Sequence, residues 1–204
     1  MQSSSCLLDG HIRETLKITL REQDNAAAII EEMPLLRGRG RADLAFVNGQ
    51  LCGFEIKSEA DSLIRLGMQT ENYEAIFEFN TIVAAQKHLT LARERLPRTW
   101  GIIEAKQVDG KIQLLPHRRA LRNGNINNSA LARVLWKNEC LLILRSVGFQ
   151  TRPTMPVIRL WELVESIDTR KLCRFVREAL KRRQVKAAQL QIPYDDSHTT
   201  VAIE

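Results

Sequence analysis

Apolar positions in the first part of the chain follow two different periods. Strands are predicted near residues 28–33, 81–85, 100–105 and 111–115, and helices near residues 9–21, 62–77 and 87–96. Strands that alternate with helices along a chain are typical of a sheet covered by helices. The pattern therefore predicts an α/β fold for this part of the molecule.

The pattern changes in the last third of the chain, where residues 131–147 and 160–185 have helical periodicity and are separated by Gly148 and a proline-containing stretch. The second of these segments is strongly basic, through Arg170, Lys171, Arg174, Arg177, Lys181, Arg182, Arg183 and Lys186. This charge either extends a surface for a polyanion or belongs to an ordinary solvated helix face. A chain of 204 residues can form one well-buried core with a small addition. We expect a core over 1–128, a basic helical extension packed on it over 129–190, and a mobile tail over 191–204.

A strand hairpin is predicted over residues 41–57, RADLAFVNGQLCGFEIK. An Asn-Gly pair at positions 48 and 49 separates two apolar segments, and this dipeptide is the strongest short hairpin signal. Side chains alternate along a strand, so Glu55 and Lys57 share one side while Phe54 and Ile56 occupy the other. The hairpin brings Asp43 towards Glu55.

Two carboxylates held together at neutral pH repel each other, and a divalent cation between them relieves the repulsion. Mg²⁺ takes oxygen ligands and retains several waters. A lysine beside such a site can stabilise a developing phosphoryl charge or help to activate water. The alternative is that Glu55 and Lys57 form the solvent-facing half of an edge strand, which is the commoner origin of such triplets.

The helix predicted after the hairpin has a polar ridge. Asp61 or Ser62 is the expected cap, and Arg65, Gln69 and Tyr73 follow at four-residue spacing. Residues at this spacing lie on one helix face, so the ridge either faces the proposed metal site or is a solvated face with a half-buried tyrosine.

Asp43, then Glu55-Ile56-Lys57, then Gln69 to Tyr73, resemble the D…(D/E)-x-K…Q-x-x-x-Y signature of the PD-(D/E)XK nuclease superfamily, in its RecB-like and lambda-exonuclease-like form. The run from 41 to 77 is similar, more narrowly, to the bacterial sce7726 family. The resemblance covers roughly residues 9–105. The proline that usually precedes the first aspartate is replaced by Ala42.

The resemblance implies a restriction-endonuclease-like fold, with a mixed central sheet flanked by helices. It also implies metal ligation by Asp43, Glu55 and the backbone carbonyl of Ile56, with Lys57 orienting the attacking water or stabilising the pentavalent phosphate. Gln69 and Tyr73 complete the implied catalytic set.

Many members of the superfamily add a glutamate from the first helix. Glu14 is the first candidate here, and Glu31 and Glu32 are its rivals. A plain surface role remains open for each of the three.

The chain carries a net charge of +6, which favours a polyanionic partner. Arg37, Arg39 and Arg41 alternate through a glycine-rich stretch directly ahead of Asp43, and Arg65 lies on the polar ridge. These side chains either hold a phosphodiester backbone or belong to a solvated turn.

Several classes of protein are not indicated. No apolar stretch approaches the roughly 20 residues that span a bilayer, and the opening residues lack the layout of a secretion signal. We therefore expect a cytoplasmic protein with no membrane partner. The cysteines at 6, 52, 140 and 173 lack the C-x-x-C spacing of a zinc site, and no Walker-type glycine loop is present.

The sequence and the resemblance together predict a nuclease that depends on Mg²⁺ or Mn²⁺ and hydrolyses phosphodiester bonds with a metal-activated water. The resemblance favours DNA over RNA. The alternative is a nucleic-acid-binding or regulatory protein that keeps the nuclease fold and does not cleave. A homodimer is compatible with cutting of both strands, and a defence-associated role in bacteria or phage is compatible with nuclease chemistry.

Overall fold

The computed structural model describes residues 9–190, apart from the side chains of Arg37 and of residues 188–190. The predicted tail over 191–204 and Cys6 lie outside the described residues. The described helices are α1 (Asp9–Gln23), α2 (Leu66–Glu74), α3 (Leu89–Arg95), α4 (Asn128–Ala132), α5 (Lys137–Ser146), α6 (Val157–Val164) and α7 (Thr169–Leu190). The strands are β1 (Ala28–Leu35), β2 (Gly40–Val47), β3 (Leu51–Lys57), β4 (Phe79–Ala85), β5 (Gly101–Val108) and β6 (Lys111–Arg118).

The six strands form one sheet in the order of the sequence. β1, β2 and β3 are antiparallel neighbours, β3, β4 and β5 are parallel neighbours, and β6 returns antiparallel to β5. A parallel neighbour requires a crossover, and α2 and α3 supply the two that this order needs. The predicted α/β architecture is confirmed, and the sheet is mixed and flanked by helices.

The two faces of the sheet are covered unequally. On one face, Ile12, Leu16 and Leu20 of α1 pack in the smaller apolar cluster, with residues such as Phe54 and Ile56. The larger cluster on the other face collects buried residues of α2 to α7. Phe54 and Ile56 share the smaller cluster, so the predicted alternation along β3 is confirmed. Among the described residues, α1 is the only helix of the smaller cluster.

Gly53, in the centre of β3, leaves room for the segment that follows α2. A Cβ atom on Gly53 would lie 2.5 Å from the ring of Phe77, which is fully buried. The Phe77 ring also packs against Tyr73, with 5.2 Å between the ring centroids. The missing side chain therefore lets the end of α2 approach the strand that carries Glu55 and Lys57.

The helix predicted over 62–77 is shorter than expected and begins at Leu66. Asp61, one of the two expected caps, instead accepts hydrogen bonds from the backbone N–H and the hydroxyl of Ser58, at 2.8 and 2.6 Å. These bonds close a turn after β3 and leave the aspartate unavailable to the helix. The polar ridge is kept, because Gln69 and Tyr73 lie within α2.

Periodicity predicted two C-terminal helices, and the structure has four in this region, α4 to α7. Asn127 caps α4 by accepting from the N–H of Ala130 at 3.1 Å. Glu139 accepts from the N–H of Trp136 at 2.8 Å where α5 begins, and Asp168 accepts from the N–H of Lys171 at 3.1 Å where α7 begins. These local side-chain bonds interrupt the helical pattern, and periodicity alone does not register them.

Helix α7 packs on the sheet through one side and exposes much of its positive charge on the other. Leu172, Val176 and Leu180 are buried in the larger cluster. Arg177 and Arg183 point inward, to the buried carboxylate of Glu78 and the partly buried carboxylate of Glu139. The exposed basic residues of the helix are Arg170, Lys171, Arg174, Arg182 and Lys186. None of the helices within residues 9–190 is both long enough and apolar enough to cross a membrane.

Candidate active site

A cavity of about 590 Å³ opens where β2 and β3 move apart. It is lined by parts of α1, β1, β2, β3 and α2, and by the turns that precede β2 and α2. Every described side chain that the sequence assigned to catalysis lines this cavity: Asp43, Glu55, Lys57, Gln69 and Tyr73. The structure therefore brings these residues together from three separate elements.

The separation of β2 and β3 allows the Asp43 side chain to lie between the two strands, at the cavity. The ladder between β2 and β3 runs from Val47 and Leu51 to Leu44 and Phe54 and ends there. Beyond it, the N–H of Ile56 donates to Asp43 Oδ2 at 2.7 Å, so a carboxylate takes the place of a ladder carbonyl.

The Tyr73 hydroxyl bridges the same gap. It accepts from the N–H of Asp43 and donates to the carbonyl of Phe54, each at 3.1 Å. Tyr73 is fully buried, and burial raises its pKa well above the usual value, with the Glu55 and Asp43 carboxylates adding to the effect. Its hydroxyl is therefore a neutral bridge that holds β2 and β3 at a fixed separation.

Glu55 is 1% exposed and uses only one of its two oxygens. Lys57 Nζ lies 2.7 Å from Glu55 Oε1, and the amide of Gln69 donates to that same oxygen. Glu55 Oε2 and Gln69 Oε1 are buried without a hydrogen-bond partner. A buried carboxylate oxygen without a donor is costly in a folded protein, and a bound cation would remove that cost.

Burial raises the pKa of Asp43 to about 7, and repulsion from Glu55 adds to this shift. The hydrogen bond from the Ile56 N–H and the charge of Arg13 act in the opposite direction. The influence of Glu55 indicates that the two acidic side chains are near one another, as the sequence predicted. A cation between them would favour the ionised form of both.

The available donors suit a hard divalent ion. Asp43 and Glu55 offer carboxylate oxygens, and Ile56, whose carbonyl is the third predicted ligand, also lines the cavity. Mg²⁺ is commonly held by one or two carboxylates and keeps several waters. Within residues 9–190, no group of three or more carboxylate, imidazole or thiol side chains is placed to hold a metal ion. Any ion here would depend on two carboxylates, a carbonyl and water.

The three rival glutamates lie in different places. Glu14 is 66% exposed and pairs with Lys17, which also pairs with Glu31 at 2.5 Å. Neither glutamate lines the cavity, and Glu32 does. Of the three candidates, only Glu32 is near the proposed metal ligands.

Two of the three strands that carry an acidic cavity residue, β1 and β2, are irregular at that residue. Glu32 has a left-handed backbone conformation, with φ of 53°. On β2, Ala42 and Ala45 belong to the same apolar cluster although they are three residues apart, so the two-residue alternation is interrupted around Asp43. Strained backbone of this kind is concentrated at functional sites.

Arg13 of α1 was not expected at this site. Its guanidinium lies 3.0 Å from Asp9 Oδ2, 2.8 Å from Glu32 Oε1 and 3.6 Å from Asp43 Oδ1, and it donates to the carbonyl of Asp43 at 2.5 Å. The side chain is only 12% exposed. One fixed positive charge therefore serves three carboxylates. The four-residue spacing of Asp9 and Arg13 was the one sequence signal that could have drawn attention to it.

Three of the four arginines predicted to bind nucleic acid lie around the cavity. Arg39, Arg41 and Arg65 line it and are exposed, and Arg41 also forms an ion pair with Glu32. The side chain of Arg37 lies outside the described residues. Asn72, which the sequence did not single out, also lines the cavity, and its amide would meet a Cβ atom on Gly40 at 2.5 Å.

Comparisons with known proteins identify a family and a relative that match most of the chain. Residues 11–195 match the family described as bacteriophage P4 protein cII. Protein cII of enterobacteria phage P4 is 30% identical over 157 residues, which cover 77% of this chain and 60% of that relative's length. A solved structure of a Silicibacter pomeroyi protein of unknown function covers 97% of this chain and 99% of its own, at 13% identity and a TM-score of 0.40, a likeness too weak to carry an argument. The family match extends over most of the chain, and the chain belongs to the bacteriophage P4 protein cII family.

Proposed function

We propose that the chain is a metal-dependent nuclease of the PD-(D/E)XK type, with a restriction-endonuclease-like fold, that hydrolyses phosphodiester bonds of nucleic acid. One observation carries the proposal. Glu55 Oε2 is buried without a partner beside a second carboxylate, Asp43, and next to the ammonium group of Lys57. A divalent ion at this point would satisfy the orphaned oxygen and the repulsion together.

Each residue of the site has a distinct part in this proposal. Asp43, Glu55 and the carbonyl of Ile56 would hold Mg²⁺ or Mn²⁺, which supplies Lewis acidity and activates water. Lys57 places a positive charge where the pentavalent phosphate becomes more negative. Gln69 orients Glu55 through its amide, and Tyr73 fixes the distance between the strands. Tyr73 is thus assigned to positioning rather than to the reaction itself.

The same geometry supports a polyanionic substrate. Arg39, Arg41 and Arg65 are exposed at the cavity, where they can contact phosphates on either side of the scissile bond. DNA is the favoured substrate because of the resemblance described above. The chain spans 60% of the length of its phage P4 relative, and the proposed activity concerns the described cavity.

The experiment is incubation of the purified protein with linear, circular and single-stranded DNA and with RNA, in Mg²⁺, Mn²⁺ or EDTA. We expect cleavage with either metal and none with EDTA. Lys57→Ala should lower the rate at least about 100-fold, since removal of one transition-state charge contact commonly costs that much.

Lys106→Ala is the matched control, because Lys106 is an exposed lysine on β5, away from the cavity. It should cleave at the wild-type rate. Metal-dependent cleavage that survives in both Lys57→Ala and Glu55→Gln would show that a contaminating nuclease or another site is responsible. Binding of DNA without cleavage in any metal would support the alternative, a nucleic-acid-binding protein that keeps the fold.

A further inference from the structure

Arg13 occupies the side of the cavity where Glu32 could add a third acidic ligand to Asp43 and Glu55. Its guanidinium lies between Glu32 on β1 and Asp43 on β2, at 2.8 Å and 3.6 Å from their carboxylate oxygens. Glu32 is the one glutamate among the candidates that reaches the cavity. Glu32 can therefore bind a metal only if its ion pair with Arg13 allows it.

We propose that Arg13 is the resident cation on the Glu32 side of the cavity, so that the site takes a single divalent ion, held by Asp43 and Glu55, and Glu32 is not a ligand. This inference rests on the metal site of the proposed function. Beyond the proposed function, it states how many ions bind and that Arg13 determines this number.

The guanidinium is held firmly in this place. It donates to the carbonyl of Asp43 at 2.5 Å and to the carboxylate of Asp9 at 3.0 Å. A planar fork with several donors loses little freedom per bond once it is fixed in this way. At 12% exposure, water screens its charge much less than that of a surface arginine. A guanidinium does not lose its proton, so the positive charge is permanent.

A second arginine on the same glutamate provides an internal comparison. Arg41 Nε forms an ion pair with Glu32 Oε2, but this oxygen accepts no hydrogen bond and the Arg41 side chain is 65% exposed. Exposed pairs of this kind contribute little. Arg13 is therefore the more firmly held of the two cations on Glu32 and contacts Oε1, whereas Oε2 has only the exposed Arg41.

Charge decides how many ions the cavity holds. Asp9, Glu32 and Asp43 surround Arg13, and Glu55 pairs with Lys57. With Arg13 in place, one divalent ion on Asp43 and Glu55 balances the remaining negative charge. Without Arg13, Asp9 would lose its ion-pair partner and Glu32 would keep only the exposed Arg41, so the negative charge beside Asp43 would attract a second divalent ion.

The test is the number of Mn²⁺ ions bound by the full chain, measured from the free-ion electron paramagnetic resonance signal at neutral pH without substrate. We expect one ion per chain in the wild type. Arg13→Gln should bind a second, weaker ion, and the double variant Arg13→Gln/Glu32→Gln should return to one. Arg41→Gln is the matched control and should stay at one, although Arg41 also touches Glu32.

Three outcomes separate this inference from the proposed function. No bound Mn²⁺ in the wild type would remove the metal site itself, and the inference with it. Two ions in the wild type, or one ion in a folded Arg13→Gln, would overturn the inference and leave the proposed function standing. Should Arg13→Gln fail to fold, Glu32→Gln tests the same point. It should leave Mn²⁺ affinity within about twofold of wild type, and a loss of about tenfold or more would make Glu32 a ligand.

Discussion

Glu78 and Glu55 are both 1% exposed, yet their surroundings differ. Glu78, at the start of the β4 region, uses both oxygens: one pairs with Arg122, and the other with Arg177 at 2.5 Å and with the N–H of Leu51 at 2.9 Å. Glu55 uses one oxygen for Lys57 and Gln69 and leaves the other without a donor. The same side chain is fully satisfied in one region and only half satisfied in the other.

This difference separates a structural carboxylate from a functional one. Glu78 ties β3 to α7 and to the loop of Arg122, so its charge is matched by two guanidinium groups that belong to the fold. Glu55 lies at the opposite end of β3, where the ladder to β2 has stopped. Glu32 and Glu74 also have one oxygen without a hydrogen-bond partner, but of these three glutamates only Glu55 is a fully buried residue, where an unpaired oxygen costs most.

The largest expected effect is on stability when the satisfied carboxylate is neutralised. Glu78→Gln should lower the free energy of unfolding by about 3 to 5 kcal/mol, because it leaves two arginines without their buried partner. Urea unfolding followed by circular dichroism measures this loss. Glu55→Gln is the matched variant and should lose less, because relief of the repulsion of Asp43 offsets part of the cost of leaving the buried Lys57 without its partner. Equal losses at the two positions would remove the distinction between them.

A smaller effect is expected in the pH dependence of stability without metal. The pKa of Asp43 is raised to about 7, above its usual value of 3.8, so the folded state binds this proton more tightly than the unfolded chain does. The resulting stabilisation is complete below about pH 4 and is lost as the pH rises from about 4 to about 7. With allowance for partial exposure, the loss is on the order of 3 kcal/mol.

Other groups also titrate in this range, so the informative quantity is the difference between wild type and Asp43→Asn. The pKa values of Glu14 and Asp61 are lowered by hydrogen bonds from Lys17 and Ser58, and their contributions cancel in the comparison. The wild type should lose stability relative to the variant between pH 4 and 7 when both are unfolded in urea with EDTA present. A difference that does not vary with pH would mean that folding does not raise the pKa of Asp43.

The smallest of the three effects concerns the bridge between the strands. Tyr73→Phe removes the hydroxyl that serves the N–H of Asp43 and the carbonyl of Phe54, and should cost about 2 kcal/mol. The variant should also weaken Mn²⁺ binding, since Asp43 is then positioned less firmly. Phe77→Leu, a change in the neighbouring aromatic residue, is the control for lost packing alone. A stability loss in Tyr73→Phe with unchanged Mn²⁺ affinity would confine the hydroxyl to the fold.

The parts of this structure that could be predicted from the sequence are local. The hairpin follows from two apolar segments and an Asn-Gly turn, and it places Asp43 and Glu55 on neighbouring strands within fewer than 20 residues, although the break in alternation at Asp43 was not predicted. The pairing of Lys57 with Glu55 follows from the same period. These features depend on near neighbours in the chain, and the sequence shows near neighbours directly.

The features that could not be predicted depend on contacts between distant segments, or on side chains whose hydrogen bonds change where a helix begins or ends. Arg13 meets Asp43 across 30 residues, through the packing of α1 on the sheet, and no period in the sequence marks that contact. The left-handed backbone of Glu32 is equally invisible, since glutamate carries no preference for it. The helix boundaries failed where Asp61 bonded to Ser58 and where Asn127 and Asp168 capped new helices.

Helix α1 links the packing of the sheet to the charge of the cavity. Its apolar side covers one face of the sheet alone among the described helices, and its Arg13 supplies the charge between Glu32 and Asp43. Detachment of this helix would uncover apolar strands and release the guanidinium in the same event. Metal binding in the cavity and protection of the sheet amides beneath α1 should therefore change together. Hydrogen exchange of the β3 amides would then report whether the metal is bound.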